Sequence, residues 1–253
     1  MRPGDFTSLA DDYTKYRPSY NALVTKTIIN STNTVLHDIK AADVGAGTGI
    51  FTKCLADAGI LNIKAVEPND EMRNAGQTFL GKDFDFSEGT AERTGLLSKS
   101  CDLVTMASSF HWPNTEKALK EFDRILSDDG VFCALWNPRL TEKSDCENEV
   151  QQLLAKKYNV VSRVSSGLSG VTQNLREILS DCKIFKSVMY VDAVDIIQRT
   201  QEEYIGAWRS VNDVQTQLGK KKFKEFLDDI NKIVSKRDFV EVHYLTRAWI
   251  ACK

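Results

Sequence analysis

Ala42-Asp43-Val44-Gly45-Ala46-Gly47-Thr48-Gly49 is the stretch that decides the fold. It closes an apolar run that begins at Ile39. It opens a segment with Phe51, Leu55 and Ala58 on one helical face, stopped by Gly59. Strand, glycine turn and helix together are the context that a nucleotide-type binding turn requires. The spacing is GxGxG. A dinucleotide fingerprint needs its third glycine at position 50, where this chain has Ile50. Without side chains at positions 45 and 47, a ligand can approach the backbone closely.

Two acidic residues narrow the ligand. Asp43, at the strand end, is poorly matched to a pyrophosphate; it suits a ligand with a cationic amine and no phosphate, and S-adenosylmethionine is such a ligand. Glu67 ends the next apolar run, Ala65-Val66-Glu67-Pro68, about 20 residues beyond the glycines, where an acidic side chain can hydrogen-bond ribose hydroxyls. The plainer alternative is a glycine turn that only packs strand on helix, with a solvated Glu nearby. The joint occurrence of the two signals weakens it.

Working outward, strand-like and helix-like segments alternate through the first 136 residues. Ser19 is expected to cap a helix with Leu23, Val24 and Ile28 on its apolar side. Strands are expected at 39–44, 63–66, 84–86, 103–107 and 131–136. Pro68 and Asn69 turn the chain into a helix, and Asn114 caps another with Leu119, Phe122, Ile125 and Leu126 facing inward. Asp128-Asp129-Gly130 is the turn into the fifth strand. This alternation predicts a parallel sheet with helices on both faces, binding ligands at the carboxyl ends of its strands. Further on, 144–158 reads as a helix, 159–170 as a mobile connection, 184–191 as a strand, 195–209 and 213–234 as helices, and 242–252 as a closing strand.

Composition sets limits. The 253 residues are 42% hydrophobic and 27% charged, ordinary globular usage. The length suits one domain with an added cap: residues 1–30 as an N-terminal cap segment, 38–137 as the cofactor-binding core, and 138–253 as substrate-side helices and closing strands. Lys plus Arg number 33 against 35 Asp plus Glu, so no basic surplus exists to hold nucleic acid. No apolar run approaches the roughly 20 residues of a membrane span. The first twelve residues carry Asp5, Asp11 and Asp12 rather than a leader's apolar block, and a cytoplasmic location is expected. The six cysteines form no CxxC and the three histidines are scattered, so no metal is expected.

Asp43-Val44-Gly45-Ala46-Gly47-Thr48-Gly49, Val66-Glu67-Pro68-Asn69 with Met72, and Gly89-Thr90-Ala91-Glu92 resemble three successive motifs of class I S-adenosylmethionine-dependent methyltransferases, the methyltransferase type 11 group. Phe110-His111-Trp112, the run from Gly130 to Asn137, and the opening from Phe6 to Pro18 extend the likeness to the branch containing trans-aconitate methyltransferase-like proteins. The closing strand around Tyr244 to Trp249 is similar too. The match is good over about 5–137 and thin beyond, and it is not specific for a substrate.

The resemblance implies an α/β fold: a doubly wound, mostly parallel seven-stranded sheet, Rossmann-like, with its last strand antiparallel. A helical cap would come from the N-terminus and from the insertion between the sixth and seventh strands. It also implies residue roles. Gly45, Ala46 and Gly47 would pass beside the methionine part of the cofactor. Glu67 would hold the ribose, Pro68 and Met72 would border the adenosine, and Thr90, Ala91 and Glu92 would flank the adenine. Ala107 would offer its backbone to the methionine amine. The family often has Ala-Gln-Ala before Phe-His-Trp; this chain has Ala107-Ser108-Ser109, so no role of that Gln transfers.

Methyl transfer asks the protein mainly for alignment and, for a hydroxyl acceptor, for removal of a proton. His111, after the fourth strand, could be that base; it could equally pack against Trp112. Tyr13 could lie near the transferable methyl and Arg17 could pair with the cofactor carboxylate. Trp112, Trp136, Asn137, Arg139, Trp208 and Arg209 are candidate substrate contacts, the two arginines suiting an anionic acceptor. The leading expectation is methylation of a small-molecule hydroxyl by a monomer or homodimer, with no nucleic acid or membrane partner. The alternatives are methylation of a carboxylate, which needs no base, and cofactor binding without catalysis. A nicotinamide dehydrogenase is opposed by Ile50 and Asp43.

Overall fold

The structure, a computed structural model, describes residues 10–160 and 170–253, the side chains of Ala10, Asp11 and Tyr13 excepted. The apolar runs form β1 (Lys40–Val44), β2 (Asn62–Val66), β3 (Asp85–Ser87), β4 (Cys101–Ala107), β5 (Leu126–Trp136), β6 (Ser187–Arg199) and β7 (Val240–Cys252). They make one seven-stranded sheet in the order β3-β2-β1-β4-β5-β7-β6. β1 to β5 are mutually parallel, and β7 runs antiparallel to both β5 and β6. This is the doubly wound, mostly parallel α/β sheet with an antiparallel last strand that the motifs implied. The pairs Val44↔Val66 and Asp43↔Thr105 bring the carboxyl ends of β1, β2 and β4 to one edge.

Strand side chains alternate between faces, and both faces are covered. Ala41, Leu103, Val131, Cys133 and Leu135 meet Val24 and Ile28 of α2 (Ala22–Asn30) and Phe51 and Leu55 of α3 (Ile50–Asp57). Ala42, Val104, Phe132 and Ala134 meet α5 (Thr115–Ile125), whose Ala118, Leu119, Phe122 and Ile125 recur at helical spacing. Each such large side chain contributes about 1.5–3 kcal/mol by leaving water. Asn114 caps α5 as expected, its side chain accepting from the Lys117 N–H at 3.0 Å. Asn69 does the same for α4 (Asp70–Leu80) through Met72.

A third apolar cluster makes the cap. α6 (Asp145–Tyr158), α8 (Gln201–Arg209) and α9 (Asn212–Val234) pack on the early half of β7, with Val150, Leu154, Trp208, Phe226 and Ile230 against Val240, Val242 and Tyr244. α9 is interrupted at Gly219, whose φ of 69° is left-handed. α1 (Ala10–Tyr16) lies beside α8, and Tyr16 is buried. No helix among the described residues is long and apolar enough to cross a membrane.

Several expectations need correction. The cap of α2 is Asn21, not Ser19; its side-chain oxygen accepts from the Leu23 and Val24 N–H groups at 2.9 and 3.2 Å, and Leu23 is exposed. Residues 195–199 do not start a helix. They continue β6 because each pairs with β7, Asp195 with Tyr244 through Arg199 with Val240, and that ladder outweighs the local pattern. The helix then begins at Gln201 behind a Thr200–Glu203 capping box. Asp128-Asp129-Gly130 is an irregularity within β5, which starts at Leu126 with a register shift against β4. Helix α7 (Leu175–Asp181) was not anticipated. The connection expected at 159–170 falls mostly on 161–169, outside the described residues.

Candidate cofactor and acceptor site

A cavity of about 350 Å³ lies at the carboxyl ends of β1, β2, β4 and β5. Gly45, Gly47 and Gly49 line the turn above β1 with φ of 66°, 58° and 80°, conformations that L side chains rarely adopt. A Cβ on Gly45 would lie 2.8 Å from the Ser109 side chain, and one on Gly49 would lie 2.6 Å from Leu80. The turn is pinned to β2 by the Gly45 and Ala46 N–H groups donating to the Val66 carbonyl at 2.8 and 3.1 Å.

Glu67 completes the cradle. One carboxylate oxygen accepts from the Gly47 N–H at 2.8 Å and the other from the Asn69 N–H at 2.9 Å. The side chain is therefore held in one orientation on the cavity wall. Burial pushes its pKa above the ordinary carboxylate range, against the pull of those two N–H donors. An acceptor-only group oriented in this way suits a diol, and a turn stripped of side chains suits a ligand laid along its backbone. The residues fit an adenosyl ligand bearing an amino-acid end.

Of the sequence candidates, Arg17, Gly45, Ala46, Gly47, Glu67, Pro68, Met72, Thr90, Ala91, Glu92, Ala107, Trp112 and Asn137 all line this cavity. Asp43 does not. It is fully buried beneath the turn, accepting from Thr52 Oγ1 at 2.7 Å and Thr105 Oγ1 at 2.9 Å. Burial pushes its carboxyl up to about 6, the two hydroxyls pulling the other way. Asp43 ties the end of β1 to α3 and β4.

His111 and Trp136 stand behind the wall, not in it. His111 Nδ1 accepts from Trp136 Nε1 at 3.3 Å, and its ring lies 4.4 Å from that of Trp112. Burial lowers its pKa to about 4. Arg139 and Trp208, expected at the substrate, are instead in the cap. The Arg139 guanidinium meets Glu147 Oε1 at 3.3 Å and sits 4.8 Å from the Trp208 ring, 5.6 Å from Tyr204 and 5.9 Å from Tyr244. Glu147 has no exposed surface. Arg209 pairs with Asp12 at 3.2 Å beside the Tyr16 ring. Tyr13 is on α1, but its side chain falls outside the described part.

The sequence reading missed Ser108 and Ser109 and left Tyr20 without a role. All three line the cavity. Ser108 has a φ of 55°, and its hydroxyl is 2.9 Å from the Tyr20 hydroxyl; Ser109 Oγ donates to the Val44 carbonyl at 3.2 Å. The available signal was their place just beyond a strand at the binding edge. Among the described residues no group of three or more His, Cys, Asp or Glu is placed to hold a metal ion.

The fold and the arrangement of this site are similar to those of class I methyltransferase domains. The Methyltransferase domain family matches residues 42–134, from β1 into β5. An uncharacterized methyltransferase of Schizosaccharomyces pombe is 33% identical over 136 residues, 51% of this chain and 50% of that protein. The chain thus spans about half the length of the curated relatives it matches. Among solved structures, a proposed type II methyltransferase from Anaeromyxobacter dehalogenans superposes with a TM-score of 0.69 at 15% identity, covering 94% of this chain and 98% of that one. Phosphoethanolamine N-methyltransferase 2 of Haemonchus contortus, solved with S-adenosyl-L-methionine, gives a TM-score of 0.53 at 13% identity, covering 100% of this chain and 57% of that one. At these identities the structural likeness establishes the fold alone.

Proposed function

We propose that the chain is an S-adenosylmethionine-dependent methyltransferase acting on a small-molecule carboxylate. The observation that carries the cofactor reading is Glu67, held by two backbone N–H groups beside a glycine cradle on a cavity wall. Glu67 would accept from the ribose hydroxyls, the 45–47 backbone would lie along the methionine part, and Arg17 would meet the carboxylate at its end. The bound cofactor supplies an electrophilic methyl group on a cationic sulfur. The chain excludes water around it and aligns the acceptor.

The choice of acceptor rests on His111. A hydroxyl acceptor must lose a proton, and His111 was the expected base. A neutral imidazole that accepts at Nδ1 carries its own proton on Nε2, so in the present arrangement it can donate but not accept there. Its lowered pKa also makes it a weak base. A carboxylate is already ionised at neutral pH and needs neither. The test is a panel of mono- to tricarboxylates against phenols and alcohols, followed by mass spectrometry, with parent and His111→Gln. Methyl esters as products, with turnover of the variant within a few-fold of the parent, are expected. Ether products, with turnover reduced by about 10²–10⁴-fold in the variant, would restore the hydroxyl reading.

A further inference from the structure

The N-terminal segment from Tyr16 to Asn21 crosses the mouth of the cavity, and Arg17, Pro18 and Tyr20 line it. Its attachments come from distant parts of the chain. Arg17 donates through Nε to Ser210 Oγ at 3.0 Å and through Nη2 to the Ser210 carbonyl at 3.2 Å. The middle of the segment is held by one relay. Thr246 Oγ1, on β7, accepts from the Asn21 N–H at 2.9 Å and donates to Asn137 Oδ1 at 3.0 Å. Asn137 Nδ2 in turn donates to the Ser19 carbonyl at 2.9 Å. Asn21 Nδ2 donates to Asp195 Oδ1 at 2.8 Å on β6, while its Oδ1 caps α2.

Thr246 has no exposed surface and does not line the cavity. Its hydroxyl is nonetheless shared between two bonds, one to Asn21, next to Tyr20, and one to Asn137, which lines the cavity. The polar atoms of the relay are mutually satisfied: the hydroxyl donates once and accepts once, and the Asn137 amide uses its oxygen and its nitrogen on opposite sides. With Thr246 fully buried, the network favours one arrangement, because any other leaves its hydroxyl unpaired away from water.

We propose that Thr246, acting through Asn137 and Asn21, is a positioning residue that holds this N-terminal strap over the amino-acid end of the cofactor. The proposal rests on the cofactor reading above. Asn137 then serves as the strap's anchor, where the sequence suggested a substrate contact. The adenosine end would be held by Glu67 and the residues just after β2, which the relay does not touch. The effect of losing the hydroxyl should therefore depend on which part of the ligand is present.

The test compares parent, Thr246→Val and Thr246→Ser. Valine keeps the shape and removes both bonds; serine restores the hydroxyl. Without ligand, hydrogen exchange at the Asn21 amide should be faster in the valine variant and near the parent rate in the serine variant. By calorimetry, S-adenosylhomocysteine should bind the valine variant about tenfold more weakly, the loss expected when a shared hydroxyl leaves two hydrogen bonds. Adenosine affinity, measured by displacement, should change less than about twofold. Equal weakening of both ligands, or unchanged binding of both, would overturn the proposal. Unchanged exchange at Asn21 would do so without any ligand. If the parent itself fails to bind S-adenosylhomocysteine, the cofactor reading falls, and the exchange experiment still judges the strap.

Discussion

At the carboxyl end of β2, the Glu67 carboxylate is fixed by two backbone N–H groups and still faces a cavity. In the cap, Arg139 meets the buried Glu147 inside a wall of aromatic rings. Both are ionisable side chains removed from bulk water in one molecule. The first is held by two main-chain N–H groups, with the Arg73 charge nearby, and keeps lone pairs facing the cavity. The second is paired with a side chain and packed among the rings of Tyr204, Trp208 and Tyr244, between α6, α8 and β7. A buried carboxylate held by backbone N–H groups on a cavity wall keeps a side open to a ligand. In the cap, a buried carboxylate paired with Arg139 inside aromatic rings is enclosed on every side the structure describes.

The sharpest way to break this comparison is Arg139→Met. Removing one partner leaves Glu147 buried and uncompensated, which costs about 3–5 kcal/mol of stability. Urea unfolding should show that loss, and Arg139→Met combined with Glu147→Leu should recover much of it. S-adenosylhomocysteine affinity of the folded protein should stay within about twofold. A large loss of affinity at unchanged stability would move Arg139 to the site.

A second measurement sharpens the boundary between site and packing at His111. Burial lowers its folded pKa to about 4, against about 6.5 in the unfolded chain. Between those values the unfolded state binds a proton that the native state does not. The parent must then lose stability from this group as pH falls from about 6.5 to 4, by up to about 3 kcal/mol. Asp43 acts in the opposite sense: its folded pKa is raised to about 6, so the native state takes up the proton first and gains stability as pH falls from 6 toward about 3.9. His111→Gln removes only the first effect. Unfolding at pH 7 and pH 4.5 should show the variant gaining on the parent as pH falls. A difference that does not change with pH would mean a solvated imidazole.

The smallest of the three effects is on binding. Glu67→Ala should cost S-adenosylhomocysteine about 1.5–3 kcal/mol, the range for hydrogen bonds to a charged group. Stability without ligand should fall less than for Arg139→Met. Calorimetry that finds equal affinity for variant and parent would take Glu67 out of the site.

The two regions also differ in how far the sequence alone revealed them. The glycine turn and Glu67 were legible because their geometry is set within a few residues: left-handed φ at Gly45 and Gly47, a strand end, a helix start. Arg139, Trp208 and Arg209 were placed at the substrate because an arginine beside aromatic residues looks the same in sequence whether it faces a pocket or a cage. What decides is contact with Glu147 and Tyr244, in other elements. Residues 195–199 were misread for the same reason, since pairing with β7, more than 40 residues later, made them a strand. Thr246 was visible only as part of a closing strand, because its partners Asn21 and Asn137 are 225 and 109 positions away.

Strand β7 sits between β5 and β6, although both precede it in the chain. A ribosome at about 5–20 residues per second needs roughly 5–20 s to pass from the end of β5 at Trp136 to the start of β7 at Val240. During that interval the sheet has an unfilled slot, flanked by the apolar β5 run and by the Val- and Ile-bearing β6. Open strand edges of this kind invite pairing with other chains. The nascent protein is thus most vulnerable to chaperone capture or aggregation after β6 emerges, and truncation before residue 240 should yield insoluble product, while the cradle at Gly45–Gly49 would already have been synthesised.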